Sequence, residues 1–134
     1  VKSVAESIRQ FGDRYLERVF TRDERAYCAS VDSHGGDSAA HYAARFAAKE
    51  AVIKVLRPSA RDAVGWTSVE IVRSSDGACT VRLRGAAQAL ARRARLGAFS
   101  VSLSHEREYA TAVAVAERGS VTPLPRKSKR ARAT

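Results

Sequence analysis

Glu50 and Lys54 stand one helical turn apart in the stretch Ser38–Leu56, a carboxylate and an ammonium set beside apolar neighbours. A carboxylate in such a place can hold a hard cation, and a lysine there can meet a phosphate or trade a proton. The same spacing also makes an ordinary i,i+4 surface ion pair, and spacing leaves both readings open. Ser104 and His105 adjoin at the end of a strand-like run. Such a pair does not by itself make a catalytic dyad, a structural hydrogen bond is its commoner use, and no glycine-flanked nucleophile elbow accompanies it. His34 and His41 have no cysteine or carboxylate partners at zinc-site spacing, so each reads as a surface histidine. Arg14, Arg18, Arg22 and Arg25 recur at three- and four-residue intervals, the pattern of a solvated basic face.

The element that must carry Glu50 and Lys54 reads SAAHYAARFAAKEAVIKVL, rich in alanine and free of proline and glycine, so helix propensity is high throughout. Tyr42, Phe46 and Ile53 fall near one face with Ala39, Ala43 and Ala47, which predicts a core-facing stripe with Glu50 and Lys54 along its edge. Ser38 is placed to cap this helix, after a loop signal at Asp32–Asp37, and Arg57-Pro58 ends it. Upstream, Gly12 ends a first helix, Asp13 can cap a short second one, and Thr21 with Glu24 forms a capping box. Downstream, alternation over Thr67–Arg73 and Cys79–Gly85 about an Asp-Gly turn predicts a β-hairpin. A helix follows, ending at Gly97 with Leu90 and Ala94 inward. Two further strands come next, Ser100–His105 and Tyr109–Ala116, the second so rich in valine and alanine that it reads as central in its sheet.

Arg45–Lys54, RFAAKEAVIK, resembles the [RW]-x-x-K-E-A-x-x-K helix of the phosphopantetheinyl transferases, specifically the short holo-acyl-carrier-protein synthase type. Val101–Glu117, VSLSHEREYATAVAVAE, is similar to that family's C-terminal S-x-S-H strand pair, and the likeness extends through Phe11–Cys28 over most of residues 1–117. The resemblance implies transfer of 4′-phosphopantetheine from coenzyme A to a serine of an apo acyl-carrier protein. Glu50 would be a magnesium ligand and catalytic residue, and Lys54 would stabilise or protonate the departing phosphate. Ser104 and His105 would bind the nucleotide end of coenzyme A, with Arg45 and Lys49 as further candidates. Arg14, Arg18, Arg22 and Arg25 would dock the acidic carrier protein, and the chain would form a homotrimer with coenzyme A between subunits. The family's Gly-Lys-Pro is Gly77-Ala78-Cys79 here, so only the glycine carries over. By register, the family's metal-sharing aspartate would lie before Val1, and Asp13, Asp23 and Asp32 do not match it. The chain thus reads as a piece of a longer one.

The 134 residues, 45% hydrophobic and 28% charged, suit one globular domain. Residues 1–117 read as that domain, and 118–134 as a disordered basic tail. No apolar run is long enough to span a bilayer, and two cysteines make neither a disulfide framework nor a metal site, so a cytoplasmic protein is expected. Of the net charge of +10, six positive charges lie from Arg118 onward with no acidic residue, which leaves the body at +4. That remainder suits a polyphosphate ligand and an acidic partner protein. Two alternatives stay open: a small basic nucleic-acid-binding module acting through the tail, and a non-catalytic carrier-protein-binding relative. The expected architecture is an α+β domain, an antiparallel sheet packed on the central signature helix.

Overall fold

The computed structural model describes residues 1–119; the basic tail expected at 118–134 lies, from 120 onward, outside the described residues. Five α-helices and four strands follow in the order α1 (Lys2–Phe11), α2 (Asp13–Val19), α3 (Arg22–Ser33), α4 (Ser38–Leu56), β1 (Val69–Arg73), β2 (Cys79–Leu83), α5 (Gly85–Arg93), β3 (Leu96–His105) and β4 (Ala110–Arg118). A single 3₁₀ turn, Trp66–Ser68, leads into β1. The α+β class is as the sequence predicts.

Helix α4 is the centre, touching α1, α3, α5, β1, β3 and β4. Its N-terminal half packs Tyr42 and Ala43 against Val4, Val19, Phe20 and Cys28 of the first three helices. Its C-terminal half packs Ala48, Val52 and Leu56 against Val69 and Ile71 of β1 and Leu90 of α5. One helix thus joins two apolar clusters, so the side chains it turns outward are held on a rigid support.

The helix ends follow local chemistry. Gly12, at φ 59°, closes α1 by donating its N–H to the Ile8 carbonyl and also begins α2. Asp13 therefore stands in the first turn of α2 rather than at its cap. Thr21 and Glu24 make the expected capping box: Glu24 N–H donates to the Thr21 hydroxyl at 3.3 Å and Thr21 N–H to Glu24 Oε1 at 2.8 Å. At α4 the cap is Asp37, whose carboxylate accepts from Ala39 N–H at 3.0 Å, while Ser38 N–H donates to Asp32. Asp37 and Asp32 together replace the capping role expected of Ser38, because a carboxylate is the stronger acceptor for orphan N–H groups.

The strands form two two-stranded antiparallel sheets, β1–β2 and β3–β4. The hairpin pairs Val69 with Leu83 through to Arg73 with Cys79, as the Asp-Gly turn predicts. Helix α5 stops at Arg93, four residues short of the expected Gly97. Leu96 and Gly97 instead pair with Arg118 and Glu117, and a register break before Ser100 absorbs the extra chain. Strand β4 pairs only with β3 among the described residues, so it is not central. Its alanines face inward and Val113 and Val115 face outward, 65% and 58% exposed.

Candidate functional site

Alanine occupies so many positions of α4 that it gives the helix no strong direction, and the face actually buried differs from the predicted stripe. Arg45 and Lys49 are on the dry side, at 3% and 0% exposure, whereas Glu50 and Lys54 are exposed. The 49%-exposed Glu50 carboxylate lies 3.6 Å from Lys54 Nζ, longer than a good charge-assisted hydrogen bond. Each group is free to take another partner. The pair has the geometry of a surface ion pair and also that of an open carboxylate beside an ammonium.

Lys49 corrects its expected role as a ligand contact. Its ammonium sits 2.6 Å from Glu24 Oε1 and donates to the Trp66 and Val69 carbonyls at 3.1 and 2.5 Å, so all three of its donors are used inside the protein. Burial pulls its pKa below the ordinary lysine value, and Glu24 opposes that shift. Glu24 Oε2 in turn accepts from Ile71 N–H at 3.1 Å. Beside it Glu70, 1% exposed, accepts from the Thr21 hydroxyl and from Arg82 and Arg84 at 3.2 Å each. This buried network ties α3 and α4 to the β1–β2 hairpin. The sequence signals only its first part, through the capping box.

Arg45 opens instead into a cavity of about 330 Å³ between α4, β1–β2 and β3. His41, Arg73, Ser102 and His105 line it with Arg45, and among the described residues no carboxylate does. The Arg45 guanidinium stacks over Tyr27, 4.1 Å from the ring centroid, and its Nη1 donates to the His41 carbonyl at 3.4 Å. Its Nε has no partner among the described residues although it is buried. A cation held in a fixed plane with a donor unspent suits an anion. His105 lines this cavity, and the serine lining it is Ser102 and not Ser104, which is exposed outside the lining. Both serines belong to the same S-x-S-H run and to the same face of β3, and the cavity meets that face two residues earlier than Ser104.

His41 also departs from the surface histidine expected of it. It packs its ring edge-on to His105, centroids 4.7 Å apart, and near Tyr27 at 5.8 Å. Burial lowers its pKa below the usual 6.5, and His105, Arg45 and Arg73 add to the effect against Asp37. Nothing in the sequence singled out Arg73, which merely ends a strand there.

The four arginines of the predicted basic face separate. Arg14 and Arg18 flank Phe11 and Tyr15 on α1–α2, around a groove of about 520 Å³. Arg22 and Arg25 line a different depression with Thr67, Ser68 and Arg84. The first is an apolar groove edged by cations, the second a polar hollow with three arginines and Glu17. Among the described residues no three histidine, cysteine or acidic side chains gather as a metal cluster, and no helix is long and apolar enough to cross a membrane.

Comparison with known proteins follows the same lines. A holo-[acyl-carrier-protein] synthase of Geobacter metallireducens is 45% identical over 105 residues, 78% of this chain and 80% of the relative. That of Chlamydia trachomatis serovar D is 38% identical over 117 residues, 87% and 92% respectively. A solved structure described as the ACPS–CoA complex of Chronobacterium ammoniagenes superposes with a TM-score of 0.75 at 27% identity, covering 89% of this chain and 91% of that one. The model of the 4′-phosphopantetheinyl transferase superfamily matches residues 1–114, and the chain belongs to that family.

Proposed function

We infer that this chain is a holo-[acyl-carrier-protein] synthase, which transfers 4′-phosphopantetheine from coenzyme A to a serine hydroxyl of an apo acyl-carrier protein and releases adenosine 3′,5′-bisphosphate. The observation that carries the reading is the division of labour on α4 within a chain of this family. The helix turns an unspent carboxylate and ammonium, Glu50 and Lys54, outward, and directs Arg45 into a cavity lined by cations and imidazoles.

The serine oxygen forms a bond to the phosphorus that bears pantetheine, and the bond from that phosphorus to the bridging oxygen breaks. The serine proton leaves, and the departing adenosine phosphate keeps the electron pair. Most of the catalytic effect in such a transfer is in-line positioning and charge neutralisation. Lys54 has an ammonium free to neutralise or protonate the departing phosphate. Glu50 fits a magnesium ligand, since this ion characteristically takes one or two carboxylates and completes its shell with water and substrate phosphates. Bound there, magnesium would neutralise pyrophosphate charge. Glu50 itself or a water takes the serine proton.

The cavity of Arg45 and His105 suits the nucleotide end of coenzyme A, with Ser102 in place of Ser104 and Arg73 supplying a cation near the strand turn where the chain carries Ala78. The groove at Phe11, Arg14, Tyr15 and Arg18 suits an acidic helix with some apolar side chains, as a carrier protein would present. Reversing both charges in Arg14→Glu/Arg18→Glu should raise KM for the carrier protein about tenfold or more and leave KM for coenzyme A unchanged. Equal changes in both constants would remove this surface from docking.

The outward valines of β4 suit burial against further copies of the chain in a homotrimer, with coenzyme A between subunits. Val113→Glu should convert that assembly to monomers in sedimentation velocity; an unchanged sedimentation coefficient would place the contact elsewhere. The free thiols Cys28 and Cys79 fit a reducing, cytoplasmic setting.

The deciding experiment is intact-mass analysis of an apo acyl-carrier protein incubated with this chain, coenzyme A and magnesium. The carrier should gain one phosphopantetheinyl group for each adenosine 3′,5′-bisphosphate released. A carrier of unchanged mass that nevertheless binds the chain would leave a docking protein without this chemistry.

A further inference from the structure

We propose that His41 is a phosphate-reading residue of the cavity: packed edge-on to His105, it takes up a proton when a phosphomonoester dianion enters, making recognition of that group pH-dependent. The inference deepens the coenzyme A reading and rests on it. In coenzyme A the group concerned is the 3′-phosphate, its one phosphomonoester.

The argument is geometric first. The two imidazoles meet with centroids 4.7 Å apart on the wall of one cavity, and a single α4 turn places His41 beside Arg45, whose buried Nε has no partner among the described residues. The groups facing His41 are Tyr27 of α3, Arg45 of its own helix, Arg73 at the end of β1, His105 at the end of β3, and Asp37 before α4. Asp37 is the one acidic group among them, so the empty cavity carries excess positive charge and disfavours a further proton on His41. Burial acts in the same direction.

A dianion reverses both conditions. It cancels the repulsion from Arg45, Arg73 and His105, and it accepts the N–H bond that a second imidazole proton provides. The pKa of His41 is then higher in the complex than in the free protein, so by linkage the ligand binds more tightly as pH falls through the value in the complex. The gain levels off below the value in the free protein. The ligand's own second ionisation, near pH 6, acts against it, but equally in any variant.

The test compares wild type, His41→Phe and His41→Asn, with coenzyme A and dephospho-coenzyme A as probes. Binding is followed by calorimetry between pH 6 and 8 in two buffers of different ionisation enthalpy. Wild type should take up a fraction of a proton with coenzyme A near pH 7 and none with dephospho-coenzyme A. Its preference for coenzyme A over dephospho-coenzyme A should grow by up to about tenfold from pH 8 to pH 6 relative to His41→Phe. His41→Asn, which can donate without titrating, should recover part of the affinity and none of the proton uptake. Proton uptake that persists undiminished in both variants overturns the role of His41. If wild type binds neither probe, the coenzyme A reading itself fails, a result distinguishable from loss of the pH effect alone. Melting curves of the three proteins confirm that each is folded.

Discussion

Glu50→Ala should lower phosphopantetheinyl transfer on the order of 10³-fold, with a change in stability of no more than about 0.5 kcal/mol. The two halves of that expectation come from one fact, the half-exposed carboxylate on the outer face of α4. Its ion pair with Lys54 spans 3.6 Å in solvent, and such pairs add little to stability. Deleting the side chain therefore leaves the helix, whose dry face lies elsewhere, intact. What would be lost is the carboxylate proposed above as a magnesium ligand. Glu50→Gln makes the point more strictly, because it keeps shape and length and removes only charge. It should be nearly as inactive as the alanine variant. Transfer rates within about threefold of wild type in both variants would exclude Glu50 from the reaction, since a catalytic carboxylate is worth far more.

The second large effect falls on folding. Glu24→Ala costs about 3–5 kcal/mol in urea unfolding, because it leaves the Lys49 ammonium buried and without its counter-charge. Neither side chain is exposed, and the carboxylate has further duties: it completes the Thr21 capping box and accepts from Ile71 N–H in β1. Removing it therefore unpairs three donors at once. The double variant Glu24→Leu/Lys49→Met should recover the part of the loss that comes from the uncompensated ammonium, while the Thr21 and Ile71 N–H groups stay without their acceptor. A loss below about 1 kcal/mol in the single variant would mean that the pair behaves as a solvated surface contact.

The sequence was legible where structure is set locally. The bounds of α4, the capping box at Thr21 and the β1–β2 hairpin each depend on residues within a few positions of one another. The facing of α4 was not legible, because alanine is at home on either side of a helix and the few large residues did not decide the matter. Charge then misled: Lys49 was expected to meet a ligand, although its partner Glu24 stands twenty-five positions earlier on another helix. Strand β4 misled in the opposite sense. Its alanines are the inward residues and its valines the outward ones, so apolar composition indicated burial on both faces where this chain by itself covers only one. Glu50 and Lys54 stood out by their spacing and His105 by its place beside Ser104, while motif resemblance gave these residues their roles and added Arg45. His41, Arg73 and Ser102 required the tertiary structure, which brings α4, β1 and β3 to one hollow.

The alanine lining between α4 and β4 also bears on what it costs to order the site. Ala48 of the helix and Ala112 and Ala114 of the strand belong to one packed cluster, and alanine has no rotamers to lose when it is enclosed. That seam closes without side-chain entropy, yet its smooth methyl surface offers little to stop the helix sliding or turning. Lys49 is the opposite kind of part. Freezing its long chain forfeits about 1.5–2 kcal/mol of rotamer freedom, and the frozen chain locks α4 to Glu24, Trp66 and Val69 at a single angular setting. The angle at which Glu50 leaves the helix is thus set by its immediate neighbour in sequence, a long side chain whose freedom is given up inside the protein.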